Sequence, residues 1–130
     1  RRRRCMIPAD GWYEWQQLPE GKQPHYVSLP ENRPFAFAAI WERWRSPGGE
    51  TIASCAILTR ESDGPLREIH DRMPVVMARE LYTRWLDPAT EGGLEQCLAG
   101  RSGDRFEFHA IGTRVNNVRN DDPDLVAPLG

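Results

Sequence analysis

The stretch RCMIPADGWYEWQQL, residues 4–18, sets the fold class. Its two apolar pieces, RCMIPA and GWYEWQQL, lie either side of a Pro-Ala-Asp-Gly turn and are rich in strand-forming side chains. In an extended chain successive side chains alternate between faces. Trp12, Glu14 and Gln16 then share one face, and Tyr13 and Trp15 the other. Glu14 is thereby flanked by three large aromatics. An acid in such company loses solvation on ionising, so its pKa is expected to rise.

Working outward, PEGKQ (19–23) reads as a loop and PHYVSL (24–29) as the returning arm of a hairpin. RPFAFAAIWERW (33–44) is a further strand, SPGGE (46–50) a turn, and TIASCAILT (51–59) an apolar run that predicts a buried strand. GPLREIHDRMP (64–74) changes period, with Leu66 and Ile69 three apart, and predicts a short helix stopped by Pro74. VVM (75–77) is a brief strand. Leu81, Tyr82, Trp85 and Leu86 form one face of an amphipathic helix, and Leu94, Cys97 and Leu98 one of a second. RFEFHAIG (105–112) alternates again as a late strand, and TRVNNVRNDDPDL (113–125) is a polar irregular tail. The pattern predicts an α+β fold: a strongly bent antiparallel sheet, or a partial barrel, with short flanking helices.

At 130 residues the chain fits one domain, and its 11 glycines and 11 prolines favour short elements joined by turns. A net charge of −2 excludes general polyanion binding, so any nucleic-acid contact has to be a local patch. No apolar run approaches a membrane span, and RRRR (1–4) is followed by no signal-peptide apolar region. Those four arginines fit solvated surface, a strand edge or a phosphate contact. Cys5, Cys55 and Cys97 share no CxxC spacing and read as reduced thiols in the cytosol. With His25, His70 and His109 they match no zinc pattern, so no metal and no cofactor is expected. Cys5 is expected to pack as a small apolar thiol in its strand, and Cys55 and Cys97 to be shielded.

Two features carry possible chemistry. Glu14 can sit in an aromatic-walled cleft or lie on the surface of an edge strand. In IHDRMP (69–74), His70 titrates near neutrality and Arg72 is a permanent cation with a planar fork suited to phosphate. Both lie at a helix-to-strand junction, where side chains often enter a cleft, although a lone histidine is more often structural. VNNVRNDDP (115–123) is a polar binding loop or an ordinary series of turns. Neither a local Ser-His-Asp pattern nor a phosphate-binding glycine loop occurs.

Together, RRCMIPADGWYEW, FAFAAIWERW, ILTRESDGPLREIHDRMPVVM, WLDP and VNNVRNDDPDLVAP resemble the SOS response-associated peptidase (SRAP) family, in the family's order from Arg3 to Pro128. The resemblance implies a monomeric protein, cytoplasmic and associated with the nucleoid on damaged DNA, that binds single-stranded DNA containing abasic sites. It implies that an N-terminal cysteine, exposed when the protein removes its own initiator Met, attacks the ring-opened sugar and closes a thiazolidine crosslink. It places the catalytic residues at Glu14 and His70. Arg72 and Thr59 match residues beside the bound strand, and Trp15 offers a flat surface against bases or a core contact. The family's Met-Cys-Gly-Arg start and an Asn-Ala-Arg block are absent, so residues 1–130 are expected to form one SRAP-like domain lacking its N-terminal segment, without the nucleophile. Two alternatives stay open: a non-catalytic single-stranded DNA-binding module, and a thiol peptidase acting on other proteins.

Overall fold

A computed structural model describes residues 3–129. Its strands are β1 (Arg4–Ala9), β2 (Trp12–Leu18), β3 (Gly21–Ser28), β4 (Phe35–Arg45), β5 (Thr51–Ile57), β6 (Thr59–Glu61), β7 (Arg72–Pro74) and β8 (Glu107–Ala110). The helices are α1 (Tyr82–Leu86) and α2 (Leu94–Ala99), with short 3-10 turns between elements. This is the α+β class expected. Among the described residues the strands form three sheets, ordered β1-β4-β5, β2-β3-β8 and β6-β7, none of them closed. The two larger ones are antiparallel throughout.

The chain folds as two compact units. The first takes the residues up to Ala9, Phe35–Arg60 and Pro74–Arg101. Its core is Ala38, Val75, Met77, Trp85 and Cys97, packed against Met6, Leu58, Leu81, Tyr82 and Leu94. Cys97 is fully buried, as the helical spacing predicts, and Trp85 is the anchor of α1. Leu86 and Leu98, expected on those same apolar faces, are exposed, because helices of five and six residues present barely one turn to the core. Val75–Met77 runs extended beside β4, its backbone bonding to Ala36 and Ala38. Only Val76 makes a ladder bridge there, to Phe37, so the strand read over 75–77 lies instead at Arg72–Pro74.

Arg4 is a structural cation. Its guanidinium donates to the carbonyls of Trp85 (2.6 Å), Asp87 (2.8 Å) and Thr90 (3.3 Å), capping the end of α1, and lies over the Trp85 ring. Arg3 is exposed and lies over the Trp41 ring, while Arg1 and Arg2 fall outside the described residues. The 51–57 run departs furthest from expectation. All seven residues of β5 are exposed, Cys55 included, so neither the buried strand nor the shielded thiol holds. Among the described residues β5 is the last strand of its sheet and pairs with β4 alone, which leaves its other edge open. Cys5 is half-buried in β1, and burial, then the nearby Cys55, raises its thiol pKa.

The second unit takes Asp10–Pro34, Glu61–Met73 and the residues from Ser102 on. It is built on the expected hairpin, β2 pairing with β3 in a register that sets Trp12 opposite Val27 and Glu14 opposite His25. β3 in turn pairs with β8. Val27, Leu29, Leu66, Ile69, Met73, Phe106, Ile111 and Leu125 are its buried apolar side chains.

Candidate active site

Period-two geometry in β2 holds: the Trp12 indole N–H donates to Glu14 Oε1 at 3.2 Å, and the Gln16 amide donates to the Glu68 carbonyl at 2.8 Å. On the opposite face Tyr13 packs against Trp15 and Tyr26. Gln16 thereby ties β2 to the segment that carries His70. That segment is a 3-10 turn over Gly64–Glu68, shorter than the helix expected to run to Pro74. The turn ends early because Asp71 O accepts from Ser62 N at 2.9 Å, which draws the chain out towards β7. Buried Ile69 and Met73 pin the stretch at both ends, and His70, Asp71 and Arg72 between them face solvent.

His70 Nδ1 lies 4.0 Å from Glu14 Oε2 and 3.3 Å from Asp71 Oδ1. The Arg72 backbone N–H donates to the same nitrogen at 3.1 Å. The Arg72 carbonyl also lies 3.3 Å from Nδ1, so this nitrogen has a backbone partner whether it accepts or donates. Burial pushes the Glu14 carboxyl pKa up, while His70 and the Trp12 bond pull it partly back. Glu14 is about one quarter exposed (23%) and His70 nearly half (45%), so solvent and substrate reach the histidine more readily.

Two cavities meet at this pair. A narrow one, about 10 Å³, is lined by residues including Trp12, Glu14, Ser62, His70 and Arg72, and has room for about one water. An open cleft of about 490 Å³ is lined by Glu14, Trp15, Gln17, Lys22, Ile69, His70 and Asp71, which is space for a nucleotide. The structure therefore brings Glu14, His70 and Arg72 together and sets Trp15 on the cleft wall. The Trp15 indole also donates to Asn116 Oδ1 at 2.7 Å. Thr59 lies exposed on β6 in the first unit and lines neither cavity. Asn117, Asn120 and the Arg114–Asp122 pair bond within their own turns, favouring the turn-former reading for most of VNNVRNDDP, whereas Asn116 reaches Trp15.

Matched over residues 1–118, the chain fits the model for SOS response associated peptidase (SRAP). The chain belongs to the SRAP family. Abasic site processing protein YoqW of Bacillus subtilis is 35% identical over 127 residues, which span 95% of this chain and 57% of YoqW. Abasic site processing protein HMCES of Gallus gallus is 33% identical over 147 residues, covering 98% of this chain and 44% of HMCES. The SRAP chain thus spans about half the length of the curated relatives it matches. A solved Bacteroides thetaiotaomicron protein shares the fold at TM-score 0.87 and 23% identity, over 98% of this chain and 57% of its own. A phage-related protein of Bordetella bronchiseptica follows at TM-score 0.66 and 36% identity, over 83% of this chain and 53% of its own.

Ser62 escaped the sequence reading of this SRAP site. Its hydroxyl is buried, lines the narrow cavity, and has no hydrogen-bond partner among the described residues. Lys22 and Asp71 also enter only through the fold, since the hairpin return and the Asp71–Ser62 bond place them. No spacing in the sequence signals any of the three. Among the described residues, no group of three or more His, Cys, Asp or Glu could hold a metal ion, and no helix is long and apolar enough to cross a membrane.

Proposed function

We propose that this SRAP domain acts on abasic sites in single-stranded DNA, with Glu14 and His70 at the sugar and Arg72 and Trp15 along the strand. The observation that carries the reading is Glu14. Burial raises the pKa of its carboxyl, which lies 4.0 Å from a histidine on the wall of a nucleotide-sized cleft. A carboxyl of raised pKa serves as a general acid near neutrality and as a base on the return step. His70, more exposed, moves a proton at the sugar as its ring hydroxyl opens to the aldehyde. An α-amine then condenses with the aldehyde, releasing water as the imine forms. Addition of the thiol of the same residue to the imine carbon closes the thiazolidine. Glu14 supplies the proton that leaves with the water. The same acid–base pair supports removal of an initiator Met from that cysteine.

None of the three cysteines of this chain suits the role of nucleophile. All three are internal and have acylated amines, so none can supply the α-amine that closes a thiazolidine, and Cys97 is also fully buried. The nucleophile is therefore assigned to an N-terminal cysteine of the family's Met-Cys-Gly-Arg start. Incubation with a single-stranded oligonucleotide, with and without one abasic site, tests this. The 130-residue chain is expected to give no denaturation-resistant adduct, and a version preceded by the family's N-terminal segment to give one on the abasic strand only. An adduct that peptide mapping places on Cys5, Cys55 or Cys97 would contradict the assignment.

A further inference from the structure

The β4–β5 ribbon exposes apolar side chains on both faces, and among the described residues the outer edge of β5 is unpaired. Ladder pairs Trp41–Cys55 and Arg43–Ala53 share one face, and Ile40–Ala56, Glu42–Ser54 and Trp44–Ile52 the other. Ile52 (48%), Ile57 (40%) and Trp44 (56%) are all substantially exposed. β1 pairs with β4 as far as Ile40, and Arg3 O accepts from Trp41 N at 2.9 Å, so among the described residues β5 is the sole ladder partner of β4 over residues 42–45. An isolated two-stranded ribbon is marginal in water, and proteins normally blunt an open edge with charge, proline, a bulge or a cover. Thr51–Ile57 contains no charged residue, no proline and no glycine. The strand carries the composition of a central strand at the position of an edge.

We infer that the β5 edge receives a further β-strand, supplied by polypeptide corresponding to the part of its relatives that this chain does not match. The length relation supports that occupant. The Bacteroides thetaiotaomicron protein contains this fold almost whole, yet the matched region fills only 57% of it, and YoqW shows the same 57%. Each relative therefore holds enough additional chain for several strands. The incoming strand bonds to the free backbone groups of Thr51–Ile57. Apolar side chains on it cover Cys55 and Ile57 on one face and Ile52 and Ala56 on the other. A shallow groove lined by Ile40, Glu42, Ser54, Cys55 and Ala56 is ready for one such side chain.

Hydrogen exchange and thiol labelling test the proposal without reference to DNA. In the 130-residue chain, amides on the open side of β5 are expected to exchange fast, and Cys55 to react with a thiol reagent while Cys97 does not. In intact YoqW, the strand aligned with Thr51–Ile57 is expected to exchange at least about tenfold more slowly than β5 here. A hybrid joining the unmatched part of YoqW to this chain is expected to slow Cys55 labelling by a similar factor. Fast exchange of the aligned strand in intact YoqW would overturn the inference. So would concentration-dependent protection of β5 in the 130-residue chain alone, because the occupant would then be a second copy.

Discussion

At Glu14, burial and neighbouring charge pull in opposite directions, and burial wins. The Trp12 indole and His70 both favour the ionised form, so removing either should raise the pKa further. Titration of the carboxyl by carbon-13 NMR is expected to give a midpoint above the ordinary glutamate range, higher still in Trp12→Phe and His70→Ala. A midpoint that falls in either variant would mean that burial is not the leading cause. The sign for stability follows from the direction of the shift. The folded chain keeps this proton at pH values where the unfolded chain has lost it. The stabilisation is therefore full below the unfolded pKa and is lost as pH rises through the folded one. Glu14→Gln is expected to flatten that decline in urea-unfolding free energy, a modest gain at neutral pH.

Among elements, the Gly64–Glu68 turn, which lines the narrow cavity through Leu66, is preceded by a close backbone approach to the Gly103–Arg105 turn. A Cβ on Gly103 would overlap the Asp63 backbone carbonyl, and the Gly103 N–H donates to Asp63 Oδ1 at 2.5 Å. The overlapped carbonyl is backbone and cannot swing aside, so Gly103→Ala is expected to cost about 1–3 kcal/mol in chemical denaturation. Asp63 adjoins Ser62, and the same change is expected to perturb the cavity wall. An unaltered midpoint would show that the turns yield freely. The hairpin and the Trp12–Glu14–Gln16 face were legible in sequence because alternation and turn residues are local signals. β5 was not, because an apolar run looks the same whether covered or bare, and coverage depends on other chain. Arg4 was equally opaque: its three carbonyl partners lie more than 80 residues away. The 3-10 turn before His70 was misread as a longer helix because the deciding bond, Ser62 to Asp71, is not a matter of period.

For the whole molecule, a net charge of −2 leaves no broad field to draw DNA in, so under the proposed function recognition falls to the cleft itself. Lys22, Arg72 and the Trp15 ring are the groups in and beside it that suit a strand's phosphates and bases. Glu14 and His70 stood out in GWYEW and IHDRMP as a titratable acid and base, but their approach across 56 positions appeared only in the fold. The most direct measurement is a nitrogen-15 NMR titration of this chain with a short single-stranded oligonucleotide bearing a stable abasic-site analogue. The largest, saturable shifts are expected at residues 12–17, at Lys22 and at residues 69–72. Saturable shifts elsewhere, with Glu14, His70 and Arg72 unmoved, would contradict the assignment of this cleft.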